Sequence, residues 1–565
     1  MKKTLLITAV LVTAFFPFHA RSQGKEAYLD LIQYAVQAYT PEHIQAYYED
    51  VDANGIKEHG YARLTANLGI LIAHGRMTEY KDTFVHMMDI CTRELPGARE
   101  RNSKLGEIGN DFAVKEICCC ILAVEQAGIL PKEKTDAWRS ALVDMKADDI
   151  YSCRPPIGDK TARNWCVFGS ASECARIMAG IGGDRSYADK YLEDQLRFFD
   201  INGMYKDPGQ PMVYDLVTRL QYMFALYCGY DGPAKEAIEE QLLKSAALTL
   251  QLQSVTGEIP YGGRSNQFLH NEAFYAAVCE YYAHWMKERG DLQMAARFKA
   301  AATRAVASIQ YWTAQKPLRH IKNRYPTDSG YGCEKYAHFN KYMVTMGSWA
   351  YLAYLFADDS IVPAKAPEKA STFVTSPEFH RILMNAGGYT VQFDIDAEGH
   401  YDSNGIGRIQ KAGAPPVVAL ASPCPATKPS YKLDIQNPGP LAIAPLWDQY
   451  EIVRARPGTV ILTDGASTWS NRLSRKGLKM KLKGKGELVM TLPAFAFDGE
   501  TLTEISCDGH SLTIRFNGWQ CRYTTNGTIS ETGQEYASRN GHLLRYDASG
   551  KKRLTIRAVI TEDRL

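Results

Sequence analysis

Near residue 361 the hydrophobic period of this chain switches, which requires two differently built halves rather than one uniform fold. From about residue 26 to 357, apolar residues recur at helical spacing in segments broken by Gly, Pro and Asp. Examples are Tyr61 to His74, Asp111 to Ala127, Asn164 to Gly180, Met212 to Cys228, Ala234 to Leu252, Phe268 to Glu288, Leu292 to Thr313 and Tyr336 to Phe356. Stretches such as Val278-Cys-Glu-Tyr-Tyr-Ala-His-Trp-Met286 are apolar on more than one face, so neighbouring helices must enclose them. Helical hairpins returning roughly every fifty residues predict an (α/α) toroid or incomplete barrel over 25–360, with inner helices around a cavity and chemistry in the loops at one end. The prolines of Ile361-Val-Pro-Ala-Lys-Ala-Pro-Glu368 forbid helix, so 361–371 reads as a linker. Beyond it, Tyr389 to Asp394, Thr459 to Thr463, Leu488 to Leu492, Leu512 to Phe516 and Leu554 to Ala558 are short and β-rich between Gly, Asp and Asn turns. An antiparallel β-sandwich is predicted over 372–565.

A chain of 565 residues is long enough for two domains, one of them large. Its 65 basic and 63 acidic residues are spread along the sequence for a net charge of +2, so no run resembles a nucleic-acid stripe or a membrane-binding patch. The basic, then apolar start, Met1-Lys-Lys-Thr to Phe16, ending near Phe18-His19-Ala20, reads as a secretory leader over 1–20. With no cysteine before Cys91 and no long apolar run later, a periplasmic or secreted protein without lipid anchor or membrane span is expected. Thirteen cysteines leave at least one thiol unpaired, and Cys118-Cys119-Cys120 sits in a helical pattern as small hydrophobes. No zinc-type spacing occurs, and no metal or cofactor is expected. The 33 tyrosines and 8 tryptophans suit sugar rings as well as helix packing.

Five polar clusters compete for the site. Tyr261-Gly-Gly-Arg-Ser-Asn-Gln-Phe-Leu-His-Asn-Glu272 packs a guanidinium, carboxamides, an imidazole and a carboxylate beside a long helix. If Ser265 caps that helix, Asn266 and His270 share one face and Arg264 stays in the loop, a junction suited to an anionic or hydroxyl-rich ligand. Thr161-Ala-Arg-Asn-Trp165 opens another helix, where Asn164 is equally a cap and Trp165 equally core. The turn-rich loop from Asn202 to Asp215 projects Tyr205, Asp207, Tyr214 and Asp215, side chains suited to proton transfer. Asn323 to Tyr342 supplies Tyr336 and His338, either as substrate contacts or as packing. In the β-half, Glu398-Gly-His-Tyr-Asp-Ser-Asn-Gly-Ile-Gly-Arg408 places His400 on a loop that a hairpin can bring to the mouth of the helical domain, or is simply a turn held by Asp402 and Asn404. No nucleophile elbow, P-loop or dinucleotide fingerprint is present, which argues against serine hydrolases, kinases and dehydrogenases.

The order Arg163-Asn164-Trp165, Tyr214, then Gly399-His400-Tyr401-Asp402 in a β-domain resembles the heparinase II/III-like superfamily of uronic-acid polysaccharide lyases. The resemblance implies Asn164 as neutraliser of the uronate carboxylate, Tyr214 as acid or base and His400 as the β-domain histidine, although Trp165 stands where that family carries a His. Gly263 to Glu272 and Gly332 to Tyr336 are similar to a Bacteroidota branch of uronic-acid-releasing glycoside hydrolases with the same two-part plan. Three functions therefore stand at this point. Metal-independent β-elimination would use Asn164, Tyr214 and His400. Hydrolysis would draw two carboxyls from Asp207, Asp215 and Glu272, with Arg264 and His270 binding the uronate. A glycan-binding protein needs no catalysis at all. In each case the partner is a poly- or oligosaccharide containing uronic acid.

Overall fold

The computed structural model describes residues 24–97, 112–314, 316–334, 336–337, 339–365, 369–426 and 441–563. The expected leader, 1–20, and His338 lie outside them. Six helices are buried nearly all round: His59–Ala73, Val114–Ala127, Asn164–Met178, Met212–Tyr227, His270–Glu288 and Phe339–Phe356. Each touches the next in that order, and Phe339–Phe356 touches His59–Ala73, so the ring closes instead of remaining an incomplete barrel. Amphipathic helices such as Lys81–Glu94, Lys132–Leu142, Arg185–Gln195, Lys235–Leu252 and Leu292–Thr313 cover it from outside. Where a side chain caps, the sequence says why: Thr40 accepts from His43 N ahead of Pro41, and Asp291 from Met294 N. Among the described residues no helix is long and apolar enough to cross a membrane.

Among the described residues the strands begin at Ser371 and form two antiparallel sheets, one of four strands and one of ten. The four-stranded sheet is Ser371–Val374, Arg381–Ala386, Tyr389–Asp394 and Gly405–Lys411 in that order. Its strand Tyr389–Asp394 is buried on both faces, for two different reasons. Phe393 packs edge-on against Trp469 of the larger sheet, while the alternate residues Thr390, Gln392 and, on the next strand, Arg408 and Gln410 face the helical half. There Gln392 donates to Tyr261 O (2.9 Å), Arg408 to Ile259 O (2.6 Å) and Thr390 accepts from Val255 N (2.9 Å). The polar residues that alternate along these strands are thus the seam between the two halves.

Candidate active site

All six inner helices begin at the same end of the ring, at a cavity of about 410 Å³. Its wall takes His59 and Arg63 from the first of them, Asn164, Trp165 and Phe168 from the third, Tyr214 and Val217 from the fourth, His270 and Phe274 from the fifth, and Lys341, Tyr342, Thr345 and Trp349 from the last, with Phe112 ahead of the second. Converging helix N-termini present the positive ends of their peptide dipoles, which favours an anion there. The side chains add to that field. Arg63, Lys341 and Arg264 line the cavity, and among the described residues no Asp or Glu does. Arg63 is oriented by Thr345 Oγ1 (2.9 Å) and Glu116 (3.2 Å), and lies over Trp349, which also carries Lys115. Phe112, Phe168 and Trp165 supply an aromatic wall on which the C–H face of a sugar can rest.

The loop 261–269 delivers Arg264 and Ser265 to this cavity and is held by the β-half. Gly263 N donates to Asp402 (2.9 Å), Ser265 N to Glu334 (2.5 Å), and Arg539 donates to Asn266 O (3.0 Å) and to Glu334 Oε2 (2.9 Å). Four residues of the loop, Gly262, Gly263, Ser265 and Gln267, take positive φ, which no helix accommodates. The helix therefore starts only at His270, with Leu269 at its N-cap, and Ser265 does not cap it. Asn266 consequently shares no helix face with His270; it is buried and donates to Gly263 O (2.5 Å). At Gly263 a Cβ would stand 2.4 Å from Pro211 Cβ, so the close approach of the loop to the Tyr214 helix requires glycine.

Three hydroxyls meet at the cavity wall. Ser265 Oγ lies 3.1 Å from the Tyr214 hydroxyl and 2.6 Å from that of Tyr336. Arg264 lies over the Tyr214 ring at 4.2 Å, where a cation attracts negative charge developing on the phenol. Enclosure of the Tyr336 hydroxyl, with Tyr214, Glu334 and Tyr342 close by, raises its pKa, as burial does for Tyr342. Arg264 also pairs with Asp207, which accepts from Asn164 Nδ2 (2.6 Å). Asn164, Trp165, Arg264 and Asp207 border a second hollow of about 600 Å³ beside the first, completed by the loop 152–163. Burial raises the Asp207 carboxyl against the opposing pull of Arg264 and Asn164.

The structure thus brings Asn164, Tyr214, Arg264, His270 and Tyr336 together and sets Asp207 beside them. It carries the other candidates elsewhere. Glu272 is fully buried away from the cavity, bonded to Lys322 Nζ (2.8 Å) and Ile259 N (3.1 Å), with Glu258 on the same ammonium (3.0 Å). Asp215 is equally buried, locked by Arg219 (2.8 Å) and by Tyr205 N (2.8 Å); Tyr205 turns inward to donate to Gln195 (2.7 Å). Both residues brace the 202–215 loop. His400 is exposed on its turn, edge-on to Tyr401, and does not line the cavity. Asp402, two residues on, is the group this turn sends to the helical half: held by Arg381 of its own sheet (2.8 Å), it accepts from Gly263 N. Asn164 is the first residue of its helix, not its cap, and Trp165 is half-buried on the cavity wall. His59, Arg63, Lys341 and Trp349 were not singled out from sequence. Arg63 had a usable signal, as a cation within the otherwise apolar run Tyr61 to His74.

Burial, reinforced by Arg63 on both, pushes the imidazoles of His59 and His270 well below their ordinary range, and among the described residues each Nδ1 has no partner. Both are neutral in the fold. Above about pH 6.5 they are neutral unfolded as well; below it the unfolded chain takes up protons that the folded one refuses. Stability is therefore expected to fall between pH 6.5 and 5, by up to about 1.4 kcal/mol per pH unit for each histidine. Thermal unfolding across this range checks it, and His270→Gln should flatten the slope.

Among the described residues no group of three or more His, Cys, Asp or Glu side chains is placed to hold a metal ion. No family model matches the sequence, and no curated protein matches it. Similar solved structures include a heparinase III, at 10% identity over 88% of this chain and 76% of that one with a TM-score of 0.39. A family 88 glycosyl hydrolase from Bacteroides vulgatus is 10% identical over 59% of this chain and 100% of its own, with a TM-score of 0.35. A GH127 β-L-arabinofuranosidase from Geobacillus stearothermophilus is 10% identical over 95% and 98%, with a TM-score of 0.33.

Proposed function

We propose that this protein is a glycan-degrading enzyme that cleaves a uronic-acid-containing glycan by metal-independent β-elimination. The observation that carries this reading is the composition of the cavity wall: Arg63, Lys341 and Arg264 with tyrosine hydroxyls, neutral histidines and, among the described residues, no carboxylate. Such a wall attracts a carboxylate substituent and lowers the barrier to removing the proton beside it. In the step proposed, Tyr214 oxygen takes the C5 proton, the C–H electron pair forms the C4=C5 double bond, and the C4–O bond breaks. The proton that Tyr214 gives up passes to Ser265 Oγ, the Ser265 proton to Tyr336, and the Tyr336 proton to the leaving oxygen. The contacts of 3.1 and 2.6 Å form a chain that returns every enzyme group to its starting state. Asn164 contributes to the wall beside Arg264, and Trp165 bears the sugar face. His400 has no role in this scheme.

Masses of the first products test it. Elimination gives fragments that sum to the substrate; hydrolysis gives fragments that sum to substrate plus one water, and finding the latter would overturn the proposal. Hydrolysis is the second reading, favoured by one observation, the raised Asp207 carboxyl bordering the second hollow. Under elimination Glu272→Gln is expected to keep turnover within a few-fold of wild type, because its carboxyl serves Lys322. Steady-state kinetics of that variant check this, and a near-dead enzyme would return Glu272 to the chemistry.

A further inference from the structure

The sequence spreads its cations along the chain, but the strand registers gather many of them on one surface. Along the ten-stranded sheet, Arg456 lies opposite Thr459, Thr459 opposite Arg472, Arg472 opposite Lys479, and Lys479 opposite Arg557. Lys483 opposes Arg553 on the same face, with Lys481 between the two rows. Arg456, Arg472, Lys479, Lys483, Arg553 and Arg557 are all exposed, while their strand neighbours Trp469, Leu473, Leu478, Met480 and Leu482 are buried on the other face, against the smaller sheet. The ion pairs within this sheet are Arg515–Asp563 (3.4 Å) and Arg545–Asp547 (2.8 Å); among the described residues the row itself has none. Desolvation, with Arg553, Lys483 and Lys479 around it, holds the Lys481 ammonium below its ordinary range.

Like charges directly opposite on a sheet destabilise it. Lysines that blunt a sheet edge are a common device, but Gly477–Phe497 is a central strand, between Gly541–Glu562 and Thr468–Ser474. Surfaces that serve solubility alone mix both signs evenly, whereas the acids on this face, Glu451 at the end of the Lys483 row and Glu504 opposite Arg515, stand at its margins and leave the centre basic. We propose that this face is a docking surface for an acidic polysaccharide, separate from the cavity and binding the polymer through its carboxylates. Charge complementarity selects a polyanion. The rows carry Thr, Ser and Ile461 between the cations and no aromatic side chain, whereas single-stranded nucleic acids are held by stacking on aromatics. The face also lacks the large apolar anchors a lipid surface needs.

Retention on immobilised polygalacturonate, in a Tyr214→Phe background so that the polymer is not consumed, tests the proposal whatever chemistry the cavity performs. The chain is expected to bind, with affinity falling steeply as salt rises. Arg472→Gln/Lys479→Gln/Arg557→Gln is expected to weaken binding at least tenfold and flatten the salt dependence. Its Tm should be unchanged or higher, since repulsion is relieved, and in an otherwise wild-type chain it should leave cleavage of a short uronic oligosaccharide unchanged. The proposal is overturned if the triple variant binds polygalacturonate as tightly as its parent, if the parent does not bind, or if duplex DNA or phosphatidylglycerol vesicles bind more tightly at equal salt. The single Lys479→Gln, expected to weaken binding by a smaller factor, serves should the triple variant fail to fold.

Discussion

Tyr214→Phe is expected to lower kcat by about 10²–10⁴-fold, the range that a positioned proton-transfer group supplies. The substitution removes one oxygen and no packing. Its hydroxyl bonds Ser265 Oγ at 3.1 Å, a neutral hydrogen bond whose loss costs about 1 kcal/mol, so Tm should move little. KM should also hold, because the cations proposed to bind the carboxylate, Arg63, Lys341 and Arg264, are untouched. Separating kcat from KM distinguishes a proton-transfer role from a binding one. A variant with wild-type kcat would remove Tyr214 from the chemistry, and with it the relay through Ser265.

Arg539→Ala is expected to destabilise the protein by about 3–5 kcal/mol, the usual cost of stranding one member of a buried ion pair. Arg539 reaches from the β-half to Glu334 and to Asn266 O, and both it and Glu334 are buried. Without it, Glu334 keeps its charge in an enclosed place and loses its grip on Ser265 N. Because Ser265 links Tyr214 to Tyr336, activity should fall by more than the unfolded fraction accounts for. Chemical denaturation with parallel assays at a temperature where the variant remains folded checks both parts. Full activity in a destabilised variant would show that the β-half stabilises the loop without shaping the chemistry.

Much of the architecture was legible because periodicity is a local property. The helical segments and strands read from sequence fall on observed elements, and the errors lie at starts such as Phe268 against His270, where positive φ at Ser265 and Gln267 delays the helix. The site was legible in part. Arg264, Tyr214 and Asn164 stand in loops and first turns whose composition announces them. Glu272 stands beside Arg264 and His270 in sequence, yet its partner Lys322 comes 50 residues later, and only the folded ring shows that the carboxyl is spent on it. His400 stood out by its glycine-flanked loop, whereas register and burial assign the contact to Asp402. His59, Arg63 and Lys341 were hidden for a related reason, since their convergence depends on ring closure between the first and last inner helices. The basic face depends likewise on cross-strand register, which alternation within one strand does not reveal.

The most direct test compares a uronic-acid polysaccharide with the same polymer after its carboxyl groups have been reduced to alcohols, following ultraviolet absorbance of the unsaturated product alongside reducing ends. Elimination in a carboxylate-binding cavity predicts absorbance and reducing ends rising together on the acidic polymer and neither rising on the reduced one. Reducing ends without absorbance, or equal cleavage of both polymers, would contradict it.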